Sequence, residues 1–193
     1  MAARIGTKAP NLEISTWVQG KPTNIDNEKG NVILVEVFQV NCPGCFLYGI
    51  PEAIDIYRKY SDKGLRVLGL ATAFEDFDKN NLENLQRLIT TGEVIGETYR
   101  ALSQYGQLRG GNKLPYNIPF PIAMDMLKKD SRPLTDSKVM DFIEANLPDS
   151  RSYIEKDRQV VIERVKQYLG SKEFSAMTFE EYTLRGTPST ILV

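Results

Sequence analysis

The residues best suited to chemistry are Cys42 and Cys45, the two cysteines of a 193-residue chain, standing as Cys42-Pro43-Gly44-Cys45. Two cysteines scattered at random over such a length fall three apart only ~1 time in a hundred, so the spacing carries information. In a reducing compartment a lone pair of this kind is a redox centre or redox sensor rather than a staple, with an accidental or structural pair as the alternative. The chain has no histidine. That excludes Ser-His-Asp and Cys-His machinery, and two thiolates alone cannot complete a tetrahedral zinc shell in a monomer.

The elements that must hold the pair are legible around it. Residues 31–40 form a run of apolar, mostly β-branched side chains, the pattern of a strand buried on both faces. Glu36 is an acid in the middle of that strand. Helical spacing begins at Pro43 and continues through Ile50, Ala53, Ile54, Tyr57 and Tyr60, with a kink expected at Pro51 and a stop at Gly64. The dithiol therefore caps a helix at a strand's carboxyl end. Residues 65–71 read as a second buried strand, which completes a βαβ unit and requires a partly parallel sheet.

Charge is nearly balanced, 24 Lys and Arg against 25 Asp and Glu. No electrostatic footprint for nucleic acid or an anionic membrane is expected. The first residues lack the apolar core of a signal peptide, and no apolar run reaches membrane-spanning length, so the expected location is the cytoplasm.

Elsewhere, residues 5–17 suggest an entry strand or hairpin, and Asn80-Asn81 could cap a helix carrying Leu82, Leu85, Leu88 and Ile89. A second helical pattern passes through Ile95, Tyr99 and Leu102. Residues 106–113 read as a plain glycine-rich loop, because the ending and preceding strand of a phosphate cradle are missing. Residues 118–124 are extended, and Pro119 and Pro121 confine them to an edge or a strand start. Composition turns charged at 128–133, where an insertion begins. Two amphipathic helices are expected in it, one from Thr135 to Pro148 and one ending at Gly170. The expected organisation is one domain, 1–193, with a helical insertion at 129–178.

Three features in order now carry a resemblance. The Cys-Pro-Gly-Cys motif follows a buried strand, an acid stands six residues before its first cysteine, and Gly186-Thr187-Pro188 precedes a terminal apolar strand. Together they resemble the thioredoxin superfamily, and the early Gly6-Thr-Lys-Ala-Pro10 with Trp17 is similar to its redoxin branch. The similarity covers about 5–60 and 185–193. It implies an α/β thioredoxin-like fold with a mixed central sheet flanked by helices. It also implies a last strand and helix beyond the point where this sequence stops.

The resemblance implies roles position by position. Cys42 matches the exposed nucleophile, Cys45 the resolving thiol and Glu36 the buried acid. Pro188 matches the family's cis-proline, and Thr187 before it offers backbone hydrogen bonds to an extended substrate. Pro43, Gly44 and Asn41 complete the expected substrate surface, with Asn41 replacing the family's tryptophan and Pro-Gly reversing its usual dipeptide. A free helix terminus should lower the Cys42 pKa, and burial should raise that of Glu36 into the range useful for proton transfer. A glutamate paired with a lysine, or reaching solvent from a strand end, is the plainer reading of Glu36.

The expected activity is dithiol–disulfide oxidoreduction on protein or small-molecule disulfides. It needs an electron donor but no cofactor beyond the redox pair and no metal. A thiol peroxidase is the enzymatic alternative, although Gln39 stands where that pattern has threonine. A non-catalytic module using the helical insertion for a partner is the alternative from another class.

Overall fold

Val32–Phe38 (β2) is the strand on which the first part of the fold is built, and every residue after Val32 in it is buried. The computed structural model describes residues 3–129 and 133–193. The described chain divides into two compact units, Met1–Lys128 with Ala176–Val193, and Lys129–Ser175.

In the first unit β2 runs parallel to Leu65–Ala71 (β3), with Val32 opposite Leu65 and Phe38 opposite Ala71. On its other side β2 pairs antiparallel with Ser189–Leu192 (β7), which sets Glu36 opposite Thr190. Ile122–Asp125 (β4) lies parallel to β3, and Ile14–Gln19 (β1) closes the sheet antiparallel to β4. The order is β1-β4-β3-β2-β7, a mixed sheet. β4 begins immediately after Pro121. It is an internal strand rather than an edge, because both prolines precede it and leave its ladder donors intact.

Between β2 and β3 the chain forms a π-helical turn over Cys45–Gly49, then the helix Ile50–Tyr60 (α1), and leaves through Gly64 in the left-handed conformation. Leu34 and Phe38 of β2 pack on one sheet face with Phe46, Ile50, Ala53 and Ile54. Phe38 meets Phe46 edge to face, with ring centroids 6.0 Å apart. Ile33, Val35 and Val37 pack on the other face with Leu12, Ile25, Phe179 and Ile191. Burial of both faces is what selects β-branched residues at successive positions.

Leu82–Thr91 (α2) is capped by Asn81, whose side chain accepts the Asn84 amide at 3.0 Å. Gly96–Gln104 (α3) follows. Leu127–Lys129 (β5) and Phe174–Ala176 (β6) form a separate two-stranded sheet.

The second unit contains Asp136–Asn146 (α4) and Glu155–Ser171 (α5). Val139, Ile143, Val165 and Leu169 form its core. Thr135 caps α4 through the Lys138 amide at 3.2 Å. α5 runs through Gly170 instead of stopping there. A helical glycine costs only about 1 kcal/mol, which packing of the same turn through Leu169 offsets. The charged residues at 130–132, where the insertion boundary is expected, lie outside the described residues.

The second unit also ends before the expected 178. Residues 176–178 belong to the first unit because Asp125 holds them there. Its carboxylate accepts the Thr178 amide at 2.9 Å, the Phe179 amide at 3.2 Å and the Thr72 hydroxyl at 2.8 Å. This carboxylate caps Met177–Glu181 (α6), a helix whose own N-cap residue, Ala176, has no side chain that can do so.

Candidate dithiol site

Cys42 lies beyond the end of β2, immediately before the first helical residues, Pro43 and Gly44. Proline suits this position, since its fixed φ is helical and the missing N–H would have no intrahelical partner there. Cys42 is therefore the N-cap. Its sulfur accepts the Cys45 amide at 3.3 Å, the bond that a serine or aspartate makes in an ordinary cap. Cys45 is buried one turn later, and both thiols are free.

The Thr187–Pro188 peptide is cis and faces this helix start. Cys42 Sγ lies 3.4 Å from the Thr187 carbonyl, which accepts from the thiol form. Once ionised, Cys42 accepts chiefly from the Cys45 thiol, and also from the Thr187 side-chain hydroxyl and the Cys45 and Gly44 amides. These outweigh burial and bring Cys42 down from 9.0 to about 6. Burial pushes the Cys45 thiol far above the ordinary thiol range, and the hydrogen bond to Cys42 and the Cys42 charge push it further. One thiol is ionised at neutral pH while the other holds its proton.

Glu36 is 3% exposed. Its Oε2 accepts the Thr190 hydroxyl at 3.0 Å, across the β2–β7 pairing that sets the two opposite each other. Among the described residues its Oε1 has no hydrogen-bond partner. Burial, against the Thr190 bond and with help from the charges of Glu52 and Cys42, raises Glu36 from 4.5 to about 7. No lysine pairs with it among the described residues, so the plainer reading of this acid does not hold.

Gly49 fixes the approach of the helix to this acid. A Cβ there would collide with Glu36 Oε1 and stand 2.7 Å from Pro188 Cβ. Gly49, Thr190 and the cis-proline loop thus surround one carboxylate. Sequence reasoning missed both Gly49 and Thr190. A glycine inside a helical pattern was the available signal for the first, since such a residue needs a packing reason. Thr190 was findable only from the strand register.

Asn41 does not join the substrate surface expected of it. It is buried, and its polar atoms are engaged inward. Its amide donates to Asn80 Oδ1 at 2.8 Å, its Nδ2 to Asp76 Oδ2 at 2.7 Å, and its Oδ1 accepts the Glu97 amide at 2.8 Å. That last bond caps α3, whose own N-cap residue, Ile95, cannot. Asn41 therefore clamps the loop in front of Cys42. Pro43, Gly44 and Thr187 are partly exposed and Pro188 is exposed, which leaves them around the sulfur as a surface.

Among the described residues no three or more Cys, Asp or Glu side chains are grouped to hold a metal, and no helix is long and apolar enough to cross a membrane.

No family model matches the sequence. Protein DipZ of Mycobacterium bovis is 32% identical over 75 residues, which are 37% of this chain and 11% of DipZ. The matched part thus spans about a tenth of that relative. Among solved structures, a thioredoxin-like superfamily protein aligns with TM-score 0.53 at 23% identity, covering 96% of this chain and 78% of its own. A thiol-disulfide isomerase from Corynebacterium glutamicum aligns with TM-score 0.52 at 25% identity, covering 94% and 75%. With the mixed sheet, the dithiol at the helix start and the cis-proline loop facing it, these likenesses give the chain a thioredoxin-like fold.

Proposed function

We propose that the protein is a dithiol–disulfide oxidoreductase that cycles Cys42 and Cys45 against protein or small-molecule disulfides. The single observation that carries this reading is the geometry of the pair, with Cys42 Sγ at a helix N-cap accepting the Cys45 amide at 3.3 Å and Cys45 buried one turn behind it, which lowers the first thiol and keeps the second protonated. The Corynebacterium glutamicum isomerase, named for the same class of chemistry, shares the fold. The cytoplasm is the compartment that goes with this reading, since in a reducing environment a lone cysteine pair is a redox centre rather than a staple.

In the proposed reaction the Cys42 thiolate attacks one sulfur of the substrate disulfide. A Cys42–substrate disulfide forms, and the other substrate sulfur leaves as a thiolate. Cys45 then loses its proton to the Glu36 carboxylate, by way of solvent, and attacks Cys42 Sγ. The second substrate thiolate leaves, and the pair ends as the Cys42–Cys45 disulfide. Two electrons have passed to the substrate. A dithiol donor restores the reduced pair by the reverse exchange.

A Cys45→Ser variant tests this. It should accumulate mixed disulfides through Cys42 when incubated with disulfide-containing proteins, and reductant should release them. Cys42→Ser should capture little, because its remaining thiol is buried and protonated. Equal capture by both variants, or by neither, overturns the proposal. Consumption of peroxide with oxidation of Cys42 to a sulfenic acid, and no capture, would replace it with the peroxidase reading.

A further inference from the structure

The helix that carries the dithiol contains a defect. Cys45–Gly49 is a π-turn, in which Ile50 donates its amide to the Cys45 carbonyl five residues back. The next bond of this series would run from residue 51 to the Phe46 carbonyl. Residue 51 is proline and has no N–H. The Phe46 carbonyl instead accepts the hydroxyl of Tyr116 at 2.9 Å, a residue 70 positions away in sequence. Tyr116 packs against the same core as Phe46 and Ile50. Burial first, and then the charge that Cys45 would carry, raise its phenol above the usual range, so the ring lies within electrostatic reach of that thiol.

We propose that Tyr116 is a positioning residue for the resolving step, holding the turn that starts at Cys45 by supplying the hydrogen bond Pro51 removes. The inference rests on the dithiol reading above. Cys45 begins the π-turn, and the carbonyl of the following residue is the one that Tyr116 ties. Attack on Cys42 Sγ requires the Cys45 sulfur in line with the bond being broken, and small displacements of a reacting group cost rate steeply. The first attack needs no in-line placement of the Cys45 sulfur, and Cys42 lies before the turn, held by the Asn41 clamp and the Thr187 loop as well as by the Cys45 amide. The hydroxyl should therefore matter more to the resolving half of the reaction than to the first.

The test uses the full chain, reduced, with dithiobis(nitrobenzoate), whose thiolate product is coloured. Cys42 attack releases one thiolate and leaves a mixed disulfide; Cys45 attack on Cys42 releases the second and closes the protein disulfide. In Tyr116→Phe the first phase should stay within about twofold of the parent, while the second slows about fivefold, the worth of one net hydrogen bond. In a Pro51→Ala background residue 51 regains an amide for the Phe46 carbonyl, and there the same Tyr116→Phe change should slow the second phase less. An unchanged second phase in Tyr116→Phe, equal slowing of both phases, or a loss undiminished by Pro51→Ala overturns the role of Tyr116. Release of a single thiolate by the parent protein itself would instead defeat the dithiol reading on which it stands.

Discussion

Replacing Glu36 with Gln isolates the buried acid, because it removes the charge while keeping shape. The wild-type carboxyl is raised from 4.5 to about 7 on folding. The folded protein therefore binds more protons than the unfolded chain between those values, and the contribution to stability is present at low pH and lost as pH rises through about 7. At ~1.4 kcal/mol per pKa unit the loss totals about 3.5 kcal/mol, of which about 2.5 falls between pH 5 and pH 8. Full burial of the side chain means that solvent screening does not reduce this figure much. The Glu36→Gln variant carries no such titration. Its side-chain amide brings a fixed, pH-independent offset, since a donor replaces an acceptor beside Gly49. Cys42, lowered to about 6, titrates in an overlapping window with the opposite sign, gaining stability as pH rises. It is present in both proteins, so the difference between their stabilities cancels it to first order. Denaturant unfolding of both reduced proteins across this range should give a stability difference that moves in favour of Glu36→Gln by about 2.5 kcal/mol as pH rises. A difference that stays flat refutes the raised pKa, and with it the assignment of Glu36 as the base for the resolving thiol.

The alkylation rate of Cys42 should rise through a midpoint near the value of about 6 set by its cap and by Cys45, whereas Cys45 should be inert until far more alkaline pH. In Cys42→Ala the Cys45 midpoint should fall relative to the parent, and iodoacetamide kinetics on both proteins measure it. Gly49→Ala forces a methyl into Glu36 Oε1 and to 2.7 Å from Pro188 Cβ. A destabilisation of about 1–3 kcal/mol by denaturant melts and a loss of disulfide-reductase turnover are expected, and a protein unchanged in both would show that this packing does not matter.

What was legible in the sequence was what neighbouring residues decide. The β-branched run of β2 states its own burial, Gly64 ends the helix by accepting a left-handed conformation, and the Cys-Pro-Gly-Cys spacing places both thiols on one helix start. What was illegible depends on partners far along the chain. Asn41 looks like a surface residue beside a nucleophile until Asn80 takes its backbone amide and Asp76 and Glu97 take its side-chain amide. α6 has no local cap to announce it, because its cap is the Asp125 carboxylate on β4. Thr190 becomes a ligand of Glu36 only through the antiparallel register of β2 and β7, and a shift of one residue would turn it to the other face.

The same charges that separate the two thiols also order the proposed steps in time. Cys45 is held protonated by burial, by its hydrogen bond to the Cys42 sulfur and by the Cys42 charge. The last two vanish when Cys42 becomes half of a mixed disulfide, because the sulfur is then neutral. Burial is the main cause that raises Glu36 and the Cys42 charge the smallest, so loss of that charge moves the acid down and increases its ionised fraction, the form that accepts a proton. Both changes act in the same direction. The resolving thiol becomes more acidic and its base more available after the first attack and not before it. In the proposed reaction the substrate's own covalent bond to Cys42 thus favours proton transfer from Cys45 to Glu36 more than the reduced pair at rest does. The Cys42→Ala titration separates this from simple burial: if the Cys45 midpoint does not move when the Cys42 sulfur is removed, burial alone holds the proton and the ordering has another origin.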